Sequence, residues 1–397
     1  MSGFSTACDT GSSLLEPGEG STSSHLSPGV QVNALAGEVL STPFNHPSNN
    51  DDSVGWPVSE SSPVTDMRVP HTFKTAEPLL HTLEDAKDRT AHYMGLSAEQ
   101  DTDLLASFRS VIINETDRVS ADIIQVYAGD PDRGAPPIHF NILHDEFQRL
   151  DNIARAQASE TIEAMVTPHG PALVRLFFRH VHPVYCVVSK VRFLQTYAKD
   201  KLSIPASLRG AVYGLGSMFW QHDSDLEGNL PFDLHALFEE AHCSLQREFH
   251  APNLWKLQAC LLLLYEWPAD NATFETPRMW IFTTQTVACA QMIGLHRDPK
   301  LWQIAPWEKM LRIKLWWATY VADIWSSVCH GNPPHVYPNS FTTTPPEMED
   351  LAFDENVPEE LHSMVDVPSR IVDISTSARF VETVKLSQIL HELLDSF

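Results

Sequence analysis

Basic residues are scarce in this sequence, and no window contains a run of them. The 397 residues include 27 Lys and Arg against 51 Asp and Glu, which gives a formal net charge of -24. A protein surface with this charge repels the phosphate backbone of nucleic acids. We therefore do not expect the chain to bind DNA or RNA unaided.

Closely spaced cysteines are also lacking. No two of the six cysteines have the two-to-four-residue spacing at which a pair of thiolates shares a metal ion. We interpret them as reduced, intracellular and mostly buried thiols. They are Cys8, Cys186, Cys243, Cys260, Cys289 and Cys329.

Long apolar runs are missing as well. Residues 1–17 contain neither a basic region nor a sustained apolar core, which argues against a signal peptide. The most apolar stretch, residues 260–265, ends at Glu266 and Pro268, far short of the roughly 20 residues that cross a bilayer. The sequence therefore predicts neither a membrane protein nor a secreted one.

The composition divides the chain into three parts. Residues 1–75 are rich in Ser, Gly, Pro and Thr without apolar periodicity, so we predict a disordered tail. The charged residues of this tail are mostly acidic, which suits a weak activation segment or, as we favour, a merely solvated one. Residues 76–165 are predicted to form an N-terminal extension of helices and loops, and residues 166–397 the main domain.

Helical spacing of apolar residues dominates beyond the tail, and no segment alternates convincingly enough to predict a strand, so the fold class is all-α. Thr276 and Pro277 mark one helix start, and Gly294 marks the end of that helix. The helix that begins at Pro306 and ends near His330 is apolar nearly all round, which makes it the expected central helix. The predicted helices span 189–199, 205–222, 233–250, 253–266, 277–293, 306–330 and a final stretch from 386 to 397. The last one lacks an end signal, so we expect a longer protein to continue the domain.

No standard catalytic or nucleotide-binding motif occurs in the sequence. Two E-x-x-H pairs, Glu239 with His242 and Glu359 with His362, have the spacing found in di-iron helical bundles. We favour solvated helix faces for both pairs and keep a helical metalloenzyme as the alternative. No catalytic, cofactor-binding or metal-binding residue is assigned.

Two further candidates have structural interpretations that we prefer. His296 and Asp298 could act as an acid/base pair. However, Gly294 suits a left-handed helix cap, with His296 and Arg297 near the exposed carbonyls of the helix end. Asp323 could be a perturbed catalytic acid, but a buried carboxylate paired with an Arg or a backbone donor is the simpler interpretation.

Three blocks of the sequence resemble the fungal-specific transcription factor domain, or middle homology region, of zinc-cluster regulators. Residues 176–185 read Leu-Phe-Phe-Arg-His-Val-His-Pro-Val-Tyr and match the opening signature of that family. Residues 288–298 end in Gly-Leu-His-Arg-Asp, and residues 311–323 contain Leu-Trp-Trp and a final Asp, as the family does. Asn332 stands where the family usually has Arg. Residues 93–97 and 140–147 also resemble the TamA subgroup, which co-activates nitrogen-utilisation genes.

The resemblance implies a nuclear regulator of transcription that acts through other transcription factors or co-regulators. A small-molecule effector and a dimer are compatible with it. No segment matches the six-cysteine zinc cluster that normally precedes this domain, so no cofactor is expected in this chain, and contact with DNA is expected only indirectly or through a missing segment. Whether the gene model is truncated or the protein is a co-regulator that does not bind DNA stays open.

Overall fold

A computed structural model of the chain describes residues 82–84, 89–95, 122–144, 149–223, 226, 228–266 and 276–396. All of them belong to one compact unit, Ala76–Phe397. The tail predicted for residues 1–75 lies outside the described residues. The predicted boundary at residue 165 stays a prediction.

The described part of the chain is mostly helical, which confirms the predicted fold class. Its longest helix is the one predicted to be central. The α-helices are α1 (Arg149–Val166), α2 (Gly170–Leu176), α3 (Lys190–Asp200), α4 (Ala206–Ser217), α5 (Leu234–Glu248), α6 (Leu254–Leu263), α7 (Pro277–Met292), α8 (Pro306–His330), α9 (Met348–Ala352) and α10 (Ile374–Leu394). A π-helical turn, Phe177–Val181, continues α2, and short 3-10 turns cover Trp220–His222, Glu359–Met364 and Val367–Ser369.

The ends of α7 and α8 lie where the sequence signals place them, whereas the helix predicted over 205–222 ends at Ser217 and the final helix begins at Ile374 and not at 386. The Thr276 hydroxyl accepts a hydrogen bond from the N–H of Met279 at the start of α7, and Pro277 occupies the first turn. Gly294 follows the end of α7 with φ +77°, and Gly331 ends α8 with φ +67°. Both glycines adopt the left-handed conformation that costs other residues strain, so they terminate these helices.

A small sheet precedes the helices, and here the sequence-based prediction was wrong, because no strand was predicted. Strands β1 (Arg89–Met94), β2 (Asp122–Tyr127) and β3 (Ile138–His144) pair antiparallel in the order β1-β3-β2. Phe140 is fully buried in β3 and lies opposite Tyr93 of β1. The face of the sheet that carries Phe140 is buried against the helical part of the molecule. These apolar contacts stabilise the three-stranded sheet.

The main core lies between α4, which is buried along its whole length, and the helices around it. Helix α4 packs against α5 and α6, while α8 packs against α7 and α10. The prediction that α8 is buried nearly all round holds for most of its length, including the fully buried Trp316 and Trp317. It fails near the end of the helix, where Trp325 is 40% exposed. Among the described residues, no helix is both long and apolar enough to cross a membrane.

Candidate functional site

Helix α8 carries four buried charged residues, Glu308, Arg312, Lys314 and Asp323. Charged side chains are almost never fully buried unless they are paired, so each needs a partner. Glu308 and Arg312 pair with each other, and Arg312, Lys314 and Asp323 also have partners in other segments of the chain. These contacts fix the position of α8 relative to the neighbouring segments, and a functional site can form beside them.

Arg312 ties α8 to the end of α7 and to the segment before the sheet. Its guanidinium donates to the carbonyl of Ile293 at 2.7 Å and to the carboxylate of Glu308 at 2.8 Å, and lies 3.5 Å from Glu84. Burial raises the pKa of Glu84 to about 7, and Glu308 adds to this effect while Arg312 opposes it. The guanidinium also lies over the ring of Phe140 in β3. Arg312 therefore joins the sheet side of the molecule to the helices.

Asp323 binds the loop that follows α8. Its carboxylate accepts hydrogen bonds from the backbone N–H groups of His335 and Val336, both at 2.9 Å, and from the His335 ring at 2.6 Å. The carboxylate is fully buried. Backbone donors were among the partners predicted for it, and the arrangement fastens the loop to the helix.

Gly294 forms the predicted helix cap. Its N–H donates to the carbonyl of Gln291 and the N–H of Leu295 donates to that of Ala290, which is the Schellman pattern. The side chains of His296 and Arg297 do not serve the helix end as predicted, because both contact Tyr93 of β1.

The contacts with Tyr93 determine the surroundings of the His296 and Arg297 side chains. The Arg297 Nε donates to the Tyr93 hydroxyl at 3.1 Å, and the His296 ring lies edge-on to Tyr93 at 4.8 Å. Burial lowers the pKa of His296 to about 4, with Arg297 contributing, so the ring is neutral near pH 7. The Asp298 carboxylate accepts from the N–H and hydroxyl of Thr344. Thus His296 and Asp298 serve separate contacts rather than an acid/base pair.

The two E-x-x-H pairs lie apart from each other and contact protein groups. In the first pair, His242 Nε2 lies 2.8 Å from the Glu266 carboxylate, and Glu239 pairs with Arg278 at 3.3 Å. In the second pair, which lies in the 3-10 turn Glu359–Met364, His362 Nε2 lies 3.0 Å from the backbone carbonyl of Val357. Within the described residues, no group of three or more His, Cys, Asp or Glu side chains could hold a metal ion.

A second buried ionic cluster was not predicted from the sequence. Its centre is Glu355, whose carboxylate lies 2.9 Å from Lys314 Nζ, 3.2 Å from Lys190 Nζ and 2.9 Å from His182 Nε2. His182 belongs to the first sequence block and Lys314 to the third, so the two blocks meet at this carboxylate. A lysine inside the apolar run of α8 was the signal that could have indicated a buried partner.

The cluster has unusual electrostatics. Burial raises the pKa of Glu355, but the charges of Lys314 and Lys190 and the hydrogen bond from His182 lower it more, and the pKa lies well below its ordinary value. Burial lowers the pKa of His182 despite the neighbouring carboxylate, so its ring is neutral near pH 7. Burial alone would lower the pKa of Lys314, but Glu355 raises it above the ordinary value. The cluster is therefore a carboxylate held between two ammonium groups.

A cavity of about 460 Å³ lies against this cluster. Its wall includes His182, Lys190 and Glu355 together with the apolar side chains of Phe178 and Leu351. Another cavity, of about 500 Å³, lies beside His242 and Arg278. The first cavity is the better candidate site, because buried charges from separate segments converge on it.

Comparison with known proteins matches the chain to transcriptional regulators of fungi. The model of the family described as the fungal specific transcription factor domain matches residues 174–397. An uncharacterised transcriptional regulatory protein of Schizosaccharomyces pombe is 26% identical over 371 residues, which cover 88% of this chain and 53% of that protein. The transcriptional activator protein DAL81 of Saccharomyces cerevisiae is 28% identical over 196 residues, covering 49% of this chain and 20% of that protein.

A third relative is the acetamidase regulatory protein of Aspergillus fumigatus, which is 24% identical over 178 residues, covering 43% of this chain and 22% of that protein. The chain thus spans about half the length of the first of these relatives and less of the other two. No solved structure matches the chain.

Proposed function

Because the chain belongs to the fungal specific transcription factor domain family, we propose that it is a nuclear regulatory module that controls transcription through contacts with other regulators and through a small-molecule effector. The family is one of transcription factors and not of enzymes. The observation that carries the proposal is the family match over residues 174–397. The alternative of a helical metalloenzyme finds no support in the contacts of Glu239, His242 and His362.

The charge of the chain favours DNA contact through a partner. With 27 basic against 51 acidic residues, the chain has little to offer the phosphate backbone. The buried cations Arg312, Lys314 and Lys190 are engaged with carboxylates inside the fold. We propose that a zinc-cluster regulator supplies the DNA-binding surface.

Nitrogen-utilisation genes are the proposed targets. The blocks at residues 93–97 and 140–147 resemble the TamA subgroup, and their described parts include the cross-strand neighbours Tyr93 and Phe140. The similarity to DAL81 and to an acetamidase regulatory protein supports the same assignment.

Chromatin occupancy tests this proposal. The tagged chain is expected to occupy promoters of nitrogen-utilisation genes in its host cells, and to lose that occupancy when its zinc-cluster partner is deleted. Restoring the partner should restore the occupancy, which controls for indirect effects of the deletion. Occupancy that persists without any zinc-cluster regulator would contradict the partner-supplied DNA contact, and no occupancy in any strain would contradict the regulatory function.

A further inference from the structure

The cavity beside Glu355 has the size and lining of a small-molecule site. Its volume of about 460 Å³ falls in the range that such sites occupy. Phe178 and Leu351 are buried apolar residues of its wall, and Ile371 lies at its exposed edge. Lys190 and His182 contribute polar atoms to the same wall although each is at most 4% exposed. The cavity therefore offers both apolar and charged contacts.

The buried charges around this cavity do not balance. Glu355 supplies one negative charge against the ammonium groups of Lys190 and Lys314. The nearby Asp354 accepts a hydrogen bond from the Ser189 hydroxyl and faces the positive charges of both Lys314 and Arg192. The three cations Lys190, Lys314 and Arg192 thus face two carboxylates, which leaves one positive charge over, and an uncompensated buried charge is costly.

The charges at the rim of the cavity are matched among themselves. Arg179 pairs with Asp366 at 3.2 Å. Asp373 caps the start of α10, and the hydrogen bonds from Ser375 hold its pKa below the ordinary value, with Arg379 also contributing. These groups leave the excess at Lys190 and Lys314 unchanged. A ligand that neutralises it must carry a net negative charge.

Two polar atoms that belong to residues of the wall have unused hydrogen-bonding capacity. The three protons of the Lys190 ammonium meet two acceptors among the described residues, Glu355 at 3.2 Å and the carbonyl of Ser369 at 3.3 Å. The neutral His182 ring donates through Nε2 to Glu355, because a carboxylate can only accept. Its Nδ1 is then an acceptor, and it is buried without a partner in the described part of the chain.

These two atoms specify a ligand. The spare donor of Lys190 suits a carboxylate, and the spare acceptor of His182 suits a hydroxyl group. An amino group would also donate to His182, but its positive charge would restore the excess that the carboxylate removes. We propose that this cavity binds a small hydroxycarboxylic acid, with its carboxylate on Lys190, its hydroxyl on His182 and its hydrocarbon part against Phe178 and Leu351.

This inference deepens the proposed regulatory function by assigning the class of its effector. Binding in solution requires neither DNA nor a partner, so the result does not depend on whether the regulatory proposal holds. The two proposals can therefore fail separately.

Calorimetric titration of the full chain with four matched probes tests the assignment. 2-Hydroxybutanoate is expected to bind, while butanoate, 2-aminobutanoate and 2-hydroxybutanamide are each expected to bind at least about tenfold more weakly, since each lacks one required feature. Equal binding of butanoate would overturn the role of the hydroxyl group, and equal binding of the amide or the amino acid would overturn the role of charge. Absence of binding by all four would overturn the proposal.

Variants locate the site. Lys190→Met should weaken 2-hydroxybutanoate binding at least about tenfold. Lys385→Met is the matched control, because Lys385 is an exposed lysine of α10 paired with Glu382. This variant should bind 2-hydroxybutanoate as tightly as the unmodified chain does. If Lys190→Met does not fold, Ile371→Trp decides, since it fills the exposed edge of the cavity without touching the buried charges. Undiminished binding by Ile371→Trp would overturn the assignment.

Discussion

Replacing Asp323 with alanine is expected to destabilise the fold by roughly 2–6 kcal/mol, because two backbone amides would lose their buried hydrogen-bond acceptor. The fully buried carboxylate accepts from the backbone N–H groups of His335 and Val336 at 2.9 Å each. Both amides would lose this acceptor, and each unsatisfied buried group costs about 1–3 kcal/mol. The loop after α8 would then detach or draw in water.

Asp323→Asn is the matched control for this substitution. The asparagine oxygen can take the place of the Oδ2 atom that accepts from both backbone amides. Its NH2 group would face the Nδ1 atom of His335, which can accept in the other neutral tautomer. The expected loss is therefore about 1 kcal/mol, well below that of alanine.

Urea denaturation followed by tryptophan fluorescence measures both losses. The Trp280 ring lies 4.4 Å from the His335 ring, so its emission also reports on the loop locally. A midpoint shift at constant slope gives the change in stability. An alanine variant within about 1 kcal/mol of the unmodified chain, or an asparagine variant as unstable as alanine, would refute the reasoning.

Three further predictions have defined outcomes. Gly294→Ala is expected to lower the free energy of unfolding, measured by urea denaturation, by roughly 2–4 kcal/mol, because the new Cβ would be strained in the left-handed conformation and would lie 2.8 Å from Phe140. Gly331→Ala should lower it by only about 1–2 kcal/mol, because a Cβ there meets nothing within 4 Å. Equal losses of stability in the two variants would contradict this prediction. Burial raises the pKa of Glu84 from 4.5 to about 7, so its contribution to stability is full below pH 4.5 and is lost as the pH rises through 7; Glu84→Gln should abolish this dependence in unfolding measured across that range. The pKa of Glu355 is held well below its ordinary 4.5, so its contribution is present above pH 4.5 and is lost in acid; Glu355→Gln should flatten the acid limb of the stability curve, and a parallel curve would contradict the assignment.

The helices could be predicted because their signals are local. Thr276 and Pro277 fix the start of α7, and Gly294 fixes its end, within a few residues of the hydrogen bonds they affect. Pro306 and Gly331 do the same for α8. The end signals therefore agree with the structure at both ends of α7 and of α8.

The sheet and the site depend on distant residues, and these were missed for different reasons. The alternation of Ile138, Phe140 and Ile142 was present in the sequence and would have indicated β3, but its pairing with β1 could not be read from local spacing. Glu355 lies 173 positions from His182, and nothing in either neighbourhood indicates that they meet. Buried charge pairs of this kind follow from the packing of whole helices.

Helix α8 is 25 residues long, a rod of about 38 Å. Arg312 binds it to the segment before the sheet, and Lys314 binds it to Glu355 beside the cavity. Tyr320 binds it to α10, and Asp323 binds it to the following loop. Helix α8 therefore couples these four parts of the molecule. None of them can shift along the helix without breaking a hydrogen bond, so a displacement of one part is transmitted to the others through α8.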